Sequence, residues 1–403
     1  MSRKVDIVES TGMLTKESPA AVKKDRKSIT IGIPKEKSSS EKRVVLTPES
    51  VGILSNSGLT VLIETGAGLS AKFSDQDFSD AGAMIVYSSK EALEAQVVLK
   101  IDPPSVDEIG QMAMGSCLIS ALQSSKQSAE FIKKLNEKKI TALAFEFLED
   151  KVGGMPVVRA MSEIAGSTVM LIAAEYLSSV NDGKGLILGG VTGVPPTQVV
   201  IIGAGTVAEY AARTALGLGA NIKIFDNHIY KLRRIKQLLG QQVHTSTIDN
   251  FNLTNALAEA DVVIGALRAE KGRNKIVVTE EMVANMIHGS IIIDVGIDQG
   301  GCIETAIPTT HENPTYLKHG IIHYAVPNIA SRVAHTGSYS LSNIFTPIIL
   351  QMAELGGAEE MIFNYKWFLR GVYTYRGSLT NAYLGRKFGI QHKELQLLLA
   401  ARY

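Results

Sequence analysis

The stretch Gln198–Asp226, QVVIIGAGTVAEYAARTALGLGANIKIFD, decides the fold. A β-branched run enters a glycine turn, an alanine-rich helical stretch follows, and a second β-branched run ends in an acid. In the turn, Gly203 permits the tight bend, Gly205 lets the backbone approach an anion, and Ala208 lets the helix pack close to the strand. Asp226 stands where a carboxylate accepts hydrogen bonds from ribose hydroxyls. The stretch therefore predicts a βαβ unit that binds a dinucleotide.

The residues after Asp226 indicate which dinucleotide binds. Asn227 and His228 follow it, and neither is the arginine that would receive the additional phosphate of NADP. The sequence therefore predicts NAD as the cofactor. The alternative is an ordinary strand-to-helix turn in which Asp226 caps a helix, but the strand before the glycines and the helix after them favour the dinucleotide site.

The same alternation of strands and helices continues on both sides of this stretch. ANIKIFD, QQVHTST, DVVIGAL and SIIIDVG follow TQVVIIGAG, so five short strands with helices between them predict a doubly wound parallel sheet. SITIGIP, LTVLIETG, AMIVYS, QVVLKI and ALAFEFL predict a second β-α region nearer the N-terminus. SEIAGSTVMLIAAEYL predicts a buried helix, and the tail from Leu341 reads as mostly helix.

Composition limits the class of protein. A chain of 403 residues predicts two domains, and 41 Lys plus Arg against 40 Asp plus Glu give no electrostatic reason for binding nucleic acid or an anionic membrane. Two cysteines and no cluster with metal-ligand spacing predict a reducing compartment and no metal site. We found no secretory signal and no run of about 20 apolar residues, so the prediction is a cytoplasmic protein.

Several blocks resemble one known family. GIPKEKSSSEKRVVLTPESV, MSEIAG, GGVTGVPPTQVVIIGAG and IIIDVGIDQGGCIET are similar to motifs of the alanine dehydrogenases and of the related transhydrogenase α subunits. The GIDQGGCIET and PTTH blocks favour the alanine dehydrogenase branch. The resemblance runs from about residue 28 to 385.

This resemblance implies a two-domain α/β fold, in which a Rossmann doubly wound parallel sheet is inserted into a discontinuous α/β substrate domain. The NAD-binding domain is expected over residues 156–330 and the substrate domain over 28–155 and 331–403, after a flexible arm at 1–27. The resemblance also implies homo-oligomers, often hexamers, with an amino acid or keto acid bound in the cleft between domains.

Four residues match functional positions of the family. Arg43 matches the arginine that grips the substrate carboxylate, for which a guanidinium is suited because it forms two parallel charge-assisted bonds. Asp298 matches an aspartate that assists water or the nicotinamide ribose. Ser162 and Asn328 match residues that lie near the cofactor.

Two catalytic positions of the family are changed. Asp102 stands where the family has a lysine, and Gln123 stands where it has a histidine. Gln123 cannot titrate, and Asp102 reverses the sign of the charge beside the reacting oxygen. The change predicts slow turnover of alanine and favours a substrate that carries an additional positive charge. Among the other histidines, His335 is a candidate for proton transfer, and His311 lies in the PTTH block.

Three functions remain open at this point. The first is an NAD-dependent dehydrogenase that converts L-alanine, NAD⁺ and water to pyruvate, ammonium and NADH, or does the same chemistry on a related amino acid. The second is an NAD(H)-binding homologue that has lost turnover and acts as a sensor or assembly subunit. A transhydrogenase-type hydride partner is disfavoured, since no membrane segment follows.

Overall fold

The computed structural model describes residues 29–124, 126–268 and 274–401; the arm predicted at residues 1–27 lies outside them. The strands are β1 Thr30–Ile33, β2 Thr60–Glu64, β3 Met84–Val86, β4 Val97–Leu99, β5 Cys117–Ser120, β6 Thr141–Ala144, β7 Gln198–Ile202, β8 Asn221–Phe225, β9 His244–Ser246, β10 Val262–Gly265, β11 Ile291–Asp294, β12 Thr315–Lys318, β13 Ile321–Tyr324, β14 Val372–Tyr375 and β15 Ser378–Leu379.

The helices are α1 Pro48–Asn56, α2 Asp75–Asp80, α3 Ser89–Leu93, α4 Val106–Gln111, α5 Ala129–Glu137, α6 Pro156–Leu177, α7 Thr206–Gly217, α8 Ile229–Leu239, α9 Asn250–Ala258, α10 Glu280–Ala284, α11 Ala334–Leu355, α12 Ala358–Asn364, α13 Lys366–Leu369, α14 Ala382–Phe388 and α15 Leu395–Ala400. Strands and helices alternate through most of the chain, which confirms the predicted α/β class.

The strands form two separate sheets of related topology. The first has the order β15-β14-β6-β5-β4-β1-β2-β3, and the second has the order β12-β13-β11-β10-β7-β8-β9. In each, six parallel strands follow the doubly wound order 3-2-1-4-5-6, with the switch between β1 and β4 and between β7 and β10. Ligands of such sheets bind at the carboxyl ends of the strands beside the switch.

The first sheet is built from both ends of the chain. Its strands β1–β6 precede the second sheet, while β14 follows it and pairs antiparallel with β6. The two-domain α/β architecture is therefore confirmed, and the boundaries at residues 155/156 and 330/331 stay a prediction. Long helix α6 joins the two cores, because Val157 belongs to the core of the first sheet and Val169 to that of the second.

Hydrophobic burial follows the two-residue period of the strands. Val199 and Ile201 of β7 lie in the core on one face of the second sheet, whereas Val200 and Ile202 lie in the core on the other face. Strands that are buried on both faces read as continuous apolar runs, and this explains why VVII was recognisable as a strand.

Two parts of the sequence prediction were incomplete. The second sheet has seven strands rather than five, because β12 and β13 add a hairpin at its edge. The tail is not helix throughout, since β14 and β15 form an antiparallel hairpin in the first sheet. The aromatic and β-branched segment VYTY of β14 fits a strand, and the helical pattern around it obscured that signal.

Helix α6 is long and apolar enough to cross a membrane by length and composition alone, a property that core helices also have. Gly166 brings it close to α7, because a Cβ there would lie 2.4 Å from the Val207 carbonyl oxygen. We assign α6 as a core helix, since it packs against α7 and connects the two hydrophobic cores.

Candidate active site

The predicted phosphate loop has the geometry that a dinucleotide requires. Gly203 has a φ of 118°, and a Cβ there would lie 2.5 Å from the Ala266 carbonyl oxygen. Gly205 is the N-cap residue of α7, and a Cβ on it would meet nothing within 4 Å. The open face of Gly205 and the free N–H groups of a 12-residue helix together form a cradle for an anionic group.

Asp226 lies beside this loop at the end of β8. Its Oδ2 atom accepts a 2.8 Å hydrogen bond from the backbone N–H of Ala204, and its Oδ1 atom accepts one of 2.8 Å from the backbone N–H of His228. Asp226 is buried. The carboxylate thus connects the glycine loop to the end of the neighbouring strand, where an adenosine ribose binds in this fold.

The centre of the other domain's site is the pair formed by Arg43 and Glu41 on the segment after β1. Arg43 Nε donates to Glu41 Oε1 at 2.7 Å, and Nη2 donates to Glu41 Oε2 at 2.5 Å. Nη2 also donates to Asn328 Oδ1 at 2.9 Å, and Asn328 Nδ2 donates to Glu41 Oε2 at 2.8 Å. Asn328 adopts a left-handed backbone (φ 64°). Asn328 therefore closes a network with two residues of one segment that lies 285 or more positions away in the chain.

Both charged side chains of this network are buried, with 7% of Arg43 and none of Glu41 exposed. Burial by itself would raise the pKa of Glu41, yet the hydrogen bonds and charge of Arg43 hold that pKa below its ordinary value. The remaining terminal nitrogen, Nη1, lies 2.9 Å from Met161 Sδ, which is a weak acceptor. Arg43 therefore keeps one terminus available for an anionic oxygen.

The segment that carries Arg43 is held by serines from the C-terminal part of the chain. Ser331 Oγ accepts from the Lys42 N–H at 2.8 Å, and Ser338 Oγ accepts from the Val44 N–H at 2.9 Å. Gly337 makes room for the arginine, since a Cβ there would lie 2.6 Å from Arg43 Cδ. The discontinuous construction of the domain thus fixes the position of the guanidinium.

Asp102 and Gln123 are brought together, as the sequence predicts. Asp102 follows β4 and Gln123 follows β5, the neighbouring strand, and Gln123 Nε2 donates to Asp102 Oδ1 at 2.9 Å. Burial and then the charge of Glu41 raise the pKa of Asp102, while the hydrogen bond from Gln123 and the charges of Lys100 and Arg43 lower it. Asp102 therefore lies within electrostatic reach of the Arg43–Glu41 pair.

Gln123 has an unusual backbone, with a φ of 45°. Glu146, which follows β6, accepts from the Leu122 N–H at 2.8 Å and from the Gln123 N–H at 3.2 Å, in both cases through Oε1. Its Oε2 atom is buried and has no hydrogen-bond partner. A left-handed glutamine costs conformational energy, so Glu146 stabilises a strained residue at the site.

Lys100, which directly follows β4 and stands two positions before Asp102, is paired with carboxylates. It is 2% exposed and lies 2.9 Å from Glu36 and 3.9 Å from Glu108. Burial raises the pKa of Glu36 to about 7, against the opposing charge of Lys100. Lys100 is therefore engaged by two carboxylates, and its charge also lowers the pKa of Asp102.

Asp298 lies in a 3₁₀ turn (Ile297–Gln299) directly after β11, at the carboxyl edge of the second sheet. Burial raises its pKa, and the charges of Arg268 and Lys126 act in the opposite direction. Lys126 belongs to the loop after Gln123 in the first domain, so Asp298 and the Gln123 loop lie within electrostatic reach of each other. This arrangement agrees with the predicted common cleft.

Two further predicted site residues, Ser162 and His335, make no hydrogen bond to the Arg43 network among the described residues. Ser162 is on the first half of α6, next to Met161, which contacts Arg43. His335 makes a 2.8 Å hydrogen bond with the Ala71 carbonyl oxygen and stacks on Phe73 with ring centroids 4.7 Å apart. Those contacts tie His335 to the surface near Ala71, and none of its hydrogen bonds joins it to the Arg43 network.

Sequence reasoning missed Glu41, Glu146 and the surroundings of His311. Burial lowers the pKa of His311, the charges of Lys42 and Arg332 lower it further, and a backbone hydrogen bond with Asn328 raises it. Its Nε2 atom is buried without a hydrogen-bond partner. Glu41 could have been found from the sequence, since it stands two positions before Arg43. The contact of Glu146 with Gln123 and that of His311 with Asn328 join residues that are farther apart in the sequence.

The described residues contain no group of three or more His, Cys, Asp or Glu side chains that could hold a metal ion. Both Cys117 and Cys302 are free and buried.

Comparison with known proteins identifies the family. The model of the alanine dehydrogenase/PNT N-terminal domain matches residues 32–165, and that of the C-terminal domain matches residues 169–382. The chain belongs to the alanine dehydrogenase/PNT family. Alanine dehydrogenase 2 of Staphylococcus aureus (strain USA300) is 37% identical over 367 residues, covering 91% of this chain and 98% of that protein.

Solved structures agree with the family assignment. An L-alanine dehydrogenase superposes with a TM-score of 0.84 at 36% identity, covering 89% of this chain and 98% of that one. A transhydrogenase from Sinorhizobium meliloti has a TM-score of 0.75 at 24% identity, covering 88% of this chain and 99% of that one, and this likeness concerns the fold alone. These findings confirm the predicted fold, NAD as the cofactor and an amino-acid dehydrogenase type of oxidoreductase.

Proposed function

We propose that this chain oxidises an amino acid with NAD⁺, with L-alanine or a related amino acid as the substrate and the keto acid and ammonium as products. The observation that carries the proposal is the buried Arg43, whose Nη1 atom has the sulfur of Met161 as its one hydrogen-bond partner among the described residues. A buried guanidinium terminus without an oxygen partner is suited to a substrate carboxylate. The alanine dehydrogenases among its relatives support this reading.

Each residue near the cleft has a proposed role. Arg43 binds the α-carboxylate, and Glu41 with Asn328 fixes the plane of its guanidinium. Asp298 orients water or the nicotinamide ribose, and Ser162 with Asn328 lies along the cofactor. NAD⁺, when bound, supplies the acceptor for the hydride that leaves Cα. Asp102 and Gln123 occupy the region where the family has its lysine and histidine, so we expect alanine itself to be turned over slowly.

The second candidate function is an NAD(H)-binding homologue without turnover, acting as a sensor or assembly subunit. The observation that favours it is the Gln123–Asp102 pair, because a glutamine cannot take up the proton that amino-acid oxidation releases. A transhydrogenase-type hydride partner has no comparable support among the described residues.

A turnover assay separates the two candidates. NADH formation is measured with NAD⁺ and each of the twenty amino acids, with Arg43→Gln as the site variant and Arg159→Gln, an exposed arginine on α6, as the control. We expect at least one amino acid to be oxidised, and Arg43→Gln to raise its KM strongly while NADH binding is unchanged. Tight NADH binding with no oxidation of any amino acid would support the second candidate instead.

We further propose that the protein is a cytoplasmic homo-oligomer, as a hexamer, with neither nucleic acid nor membrane as partner. Exposed apolar side chains support association, since Leu171 of α6 is 57% exposed and Ile187, Val191 and Val194 of the following loop are at least 53% exposed. Light scattering of the purified protein tests this proposal, and a monomer at micromolar concentration would contradict it.

A further inference from the structure

The charges around Arg43 do not balance for an ordinary amino acid. Arg43 is paired through two hydrogen bonds with Glu41, so their charges cancel within the network. Lys100 lies 2.9 Å from Glu36 and 3.9 Å from Glu108, so two carboxylates already compensate its charge. Asp102 then stands as an additional negative charge beside the place where the α-carboxylate is proposed to bind. A second anion at that point is unfavourable unless a cation accompanies it.

Asp102 has one oxygen already oriented and one available. Oδ1 accepts the 2.9 Å hydrogen bond from Gln123 Nε2, whereas Oδ2 accepts no hydrogen bond from any side chain or backbone group of the described residues. Asp102 is half-buried, so solvent compensates the second oxygen only in part. An ammonium group, which has three donors, is suited to this oxygen.

The backbone at Gln123 indicates that this orientation is built into the fold. Gln123 holds a φ of 45°, which is unfavourable for a glutamine, and Glu146 secures it through the N–H groups of Leu122 and Gln123. Strained residues persist where the surrounding structure fixes them, and they concentrate at ligand sites. With this backbone the Gln123 amide donates to Asp102 Oδ1, and that bond leaves Oδ2 as the free Asp102 oxygen.

From these observations we infer that Asp102, oriented by Gln123, binds a second cationic group of the substrate, so that the substrate is an amino acid with an amino group on its side chain. The inference rests on the proposed function, because it assumes that Arg43 Nη1 receives the α-carboxylate. A zwitterion leaves one negative charge in the Arg43–Glu41–Asp102 group, whereas a diamino acid neutralises it. Asp102 thereby selects the side chain, while Arg43 recognises the part that all amino acids share.

Two amino acids of equal chain length test the inference. L-ornithine and L-norvaline differ by a terminal amino group, and each is offered with NAD⁺ to the wild-type protein and to Asp102→Asn. A charge-assisted hydrogen bond predicts that kcat/KM of wild type favours ornithine by roughly 10- to 100-fold. Asp102→Asn should remove most of that preference through KM for ornithine, while NADH binding stays unchanged. Asp107→Asn, an exposed aspartate on α4, is the matched control and should keep the preference.

The possible results separate a failure of this inference from a failure of the proposed dehydrogenase function. Oxidation of norvaline as efficient as that of ornithine, or a preference that survives Asp102→Asn, overturns the inference and leaves the dehydrogenase function in place. Calorimetry of each amino acid with the protein–NADH complex gives the second readout. NADH binding without binding or oxidation of any amino acid overturns the proposed function itself.

Discussion

Gln123 Nε2 and Asp102 Oδ1 lie 2.9 Å apart and join two neighbouring strands of the first sheet at their carboxyl ends. The sequence predicts that this pair stands where the family has a lysine and a histidine, and such a replacement would govern what the cleft can bind. It also provides the most direct test of the site.

Restoring the family pair should raise turnover of alanine. In Asp102→Lys with Gln123→His, the lysine supplies a positive charge beside the keto oxygen and the histidine supplies a group that titrates near neutral pH. Histidine also tolerates the left-handed backbone of position 123 better than most residues do. We expect kcat for alanine to rise by at least about tenfold, since general acid–base groups contribute typically 10²–10⁴.

The two single variants are the controls for that experiment, because groups that act in one step are not additive. Efficient alanine oxidation by the unmodified protein would show that other residues carry the proton transfer. His311 would then be the first residue to examine, since it hydrogen-bonds the Asn328 backbone and its buried Nε2 has no hydrogen-bond partner.

The two loop glycines should respond differently to alanine. Gly205→Ala adds a Cβ that meets no protein atom within 4 Å, so stability should change by less than about 0.5 kcal/mol. The same Cβ occupies the space of the approaching anion, so NADH binding should weaken by about 2 kcal/mol, the equivalent of one or two charged hydrogen bonds. Gly203→Ala should lose at least about 2 kcal/mol of folding stability, since its φ is 118° and the Ala266 oxygen lies 2.5 Å from the new Cβ. Calorimetry and urea unfolding of both variants make the comparison, and a Gly205→Ala protein that binds NADH normally would refute this placement of the anion.

Asp226 should set the preference for NADH over NADPH. Its carboxylate repels a 2′-phosphate and accepts from ribose hydroxyls, so Asp226→Ala should weaken NADH binding by about 1–3 kcal/mol. Asp226→Asn keeps an acceptor for the Ala204 N–H and loses the charge. It should therefore reduce the difference in binding free energy between NADH and NADPH. Asp249→Asn, at the half-buried N-cap of α9, is a control of equal charge change. Equal or tighter binding of NADPH to the wild-type protein would contradict the expectation.

Much of this molecule could be predicted from sequence because its signals are local. Spacing within a single βαβ unit fixes the geometry of the GAG turn and of the acid at the end of β8. The buried strands VVII and IIID are likewise recognisable from their own residues. Arg43 and the changed positions at Asp102 and Gln123 came from motif resemblance, and the structure brings these three near one another.

The remaining contacts depend on distant parts of the chain. Glu146 reaches Gln123 because β5 and β6 are neighbours, and Asn328 reaches Arg43 across more than half of the sequence. No local period reports such pairs. Strand β14 was missed for a related reason, since its place beside β6 is decided by tertiary pairing rather than by its own neighbours.

The pH dependence of substrate binding should follow Asp102. Burial and the charge of Glu41 raise the pKa of this carboxyl, so it protonates at a higher pH than an exposed aspartate does. Above that pKa the carboxylate binds a cationic side chain, and as pH falls through it the attraction is lost. We expect KM for ornithine to rise as pH decreases through that pKa, and this rise to be absent in Asp102→Asn. The KM for norvaline serves as the reference at each pH, and parallel curves for both amino acids would exclude Asp102 as the titrating group.

Glu146 should stabilise the protein mainly by supporting the left-handed backbone of Gln123. Glu146→Ala removes the acceptor of two N–H groups and should cost about 2–4 kcal/mol of folding stability, whereas Glu146→Gln keeps an oxygen at that place and should cost less. Glycine adopts a φ of 45° without penalty, so Gln123→Gly does not need this support. In the Gln123→Gly background, Glu146→Ala should therefore cost about 1 kcal/mol less than in the wild type, a coupling within the range seen for residues in contact. Urea unfolding of the four proteins measures the cycle. If the two changes in unfolding free energy were strictly additive, Glu146 would stabilise only the end of β6. Other contacts would then stabilise the left-handed backbone of Gln123.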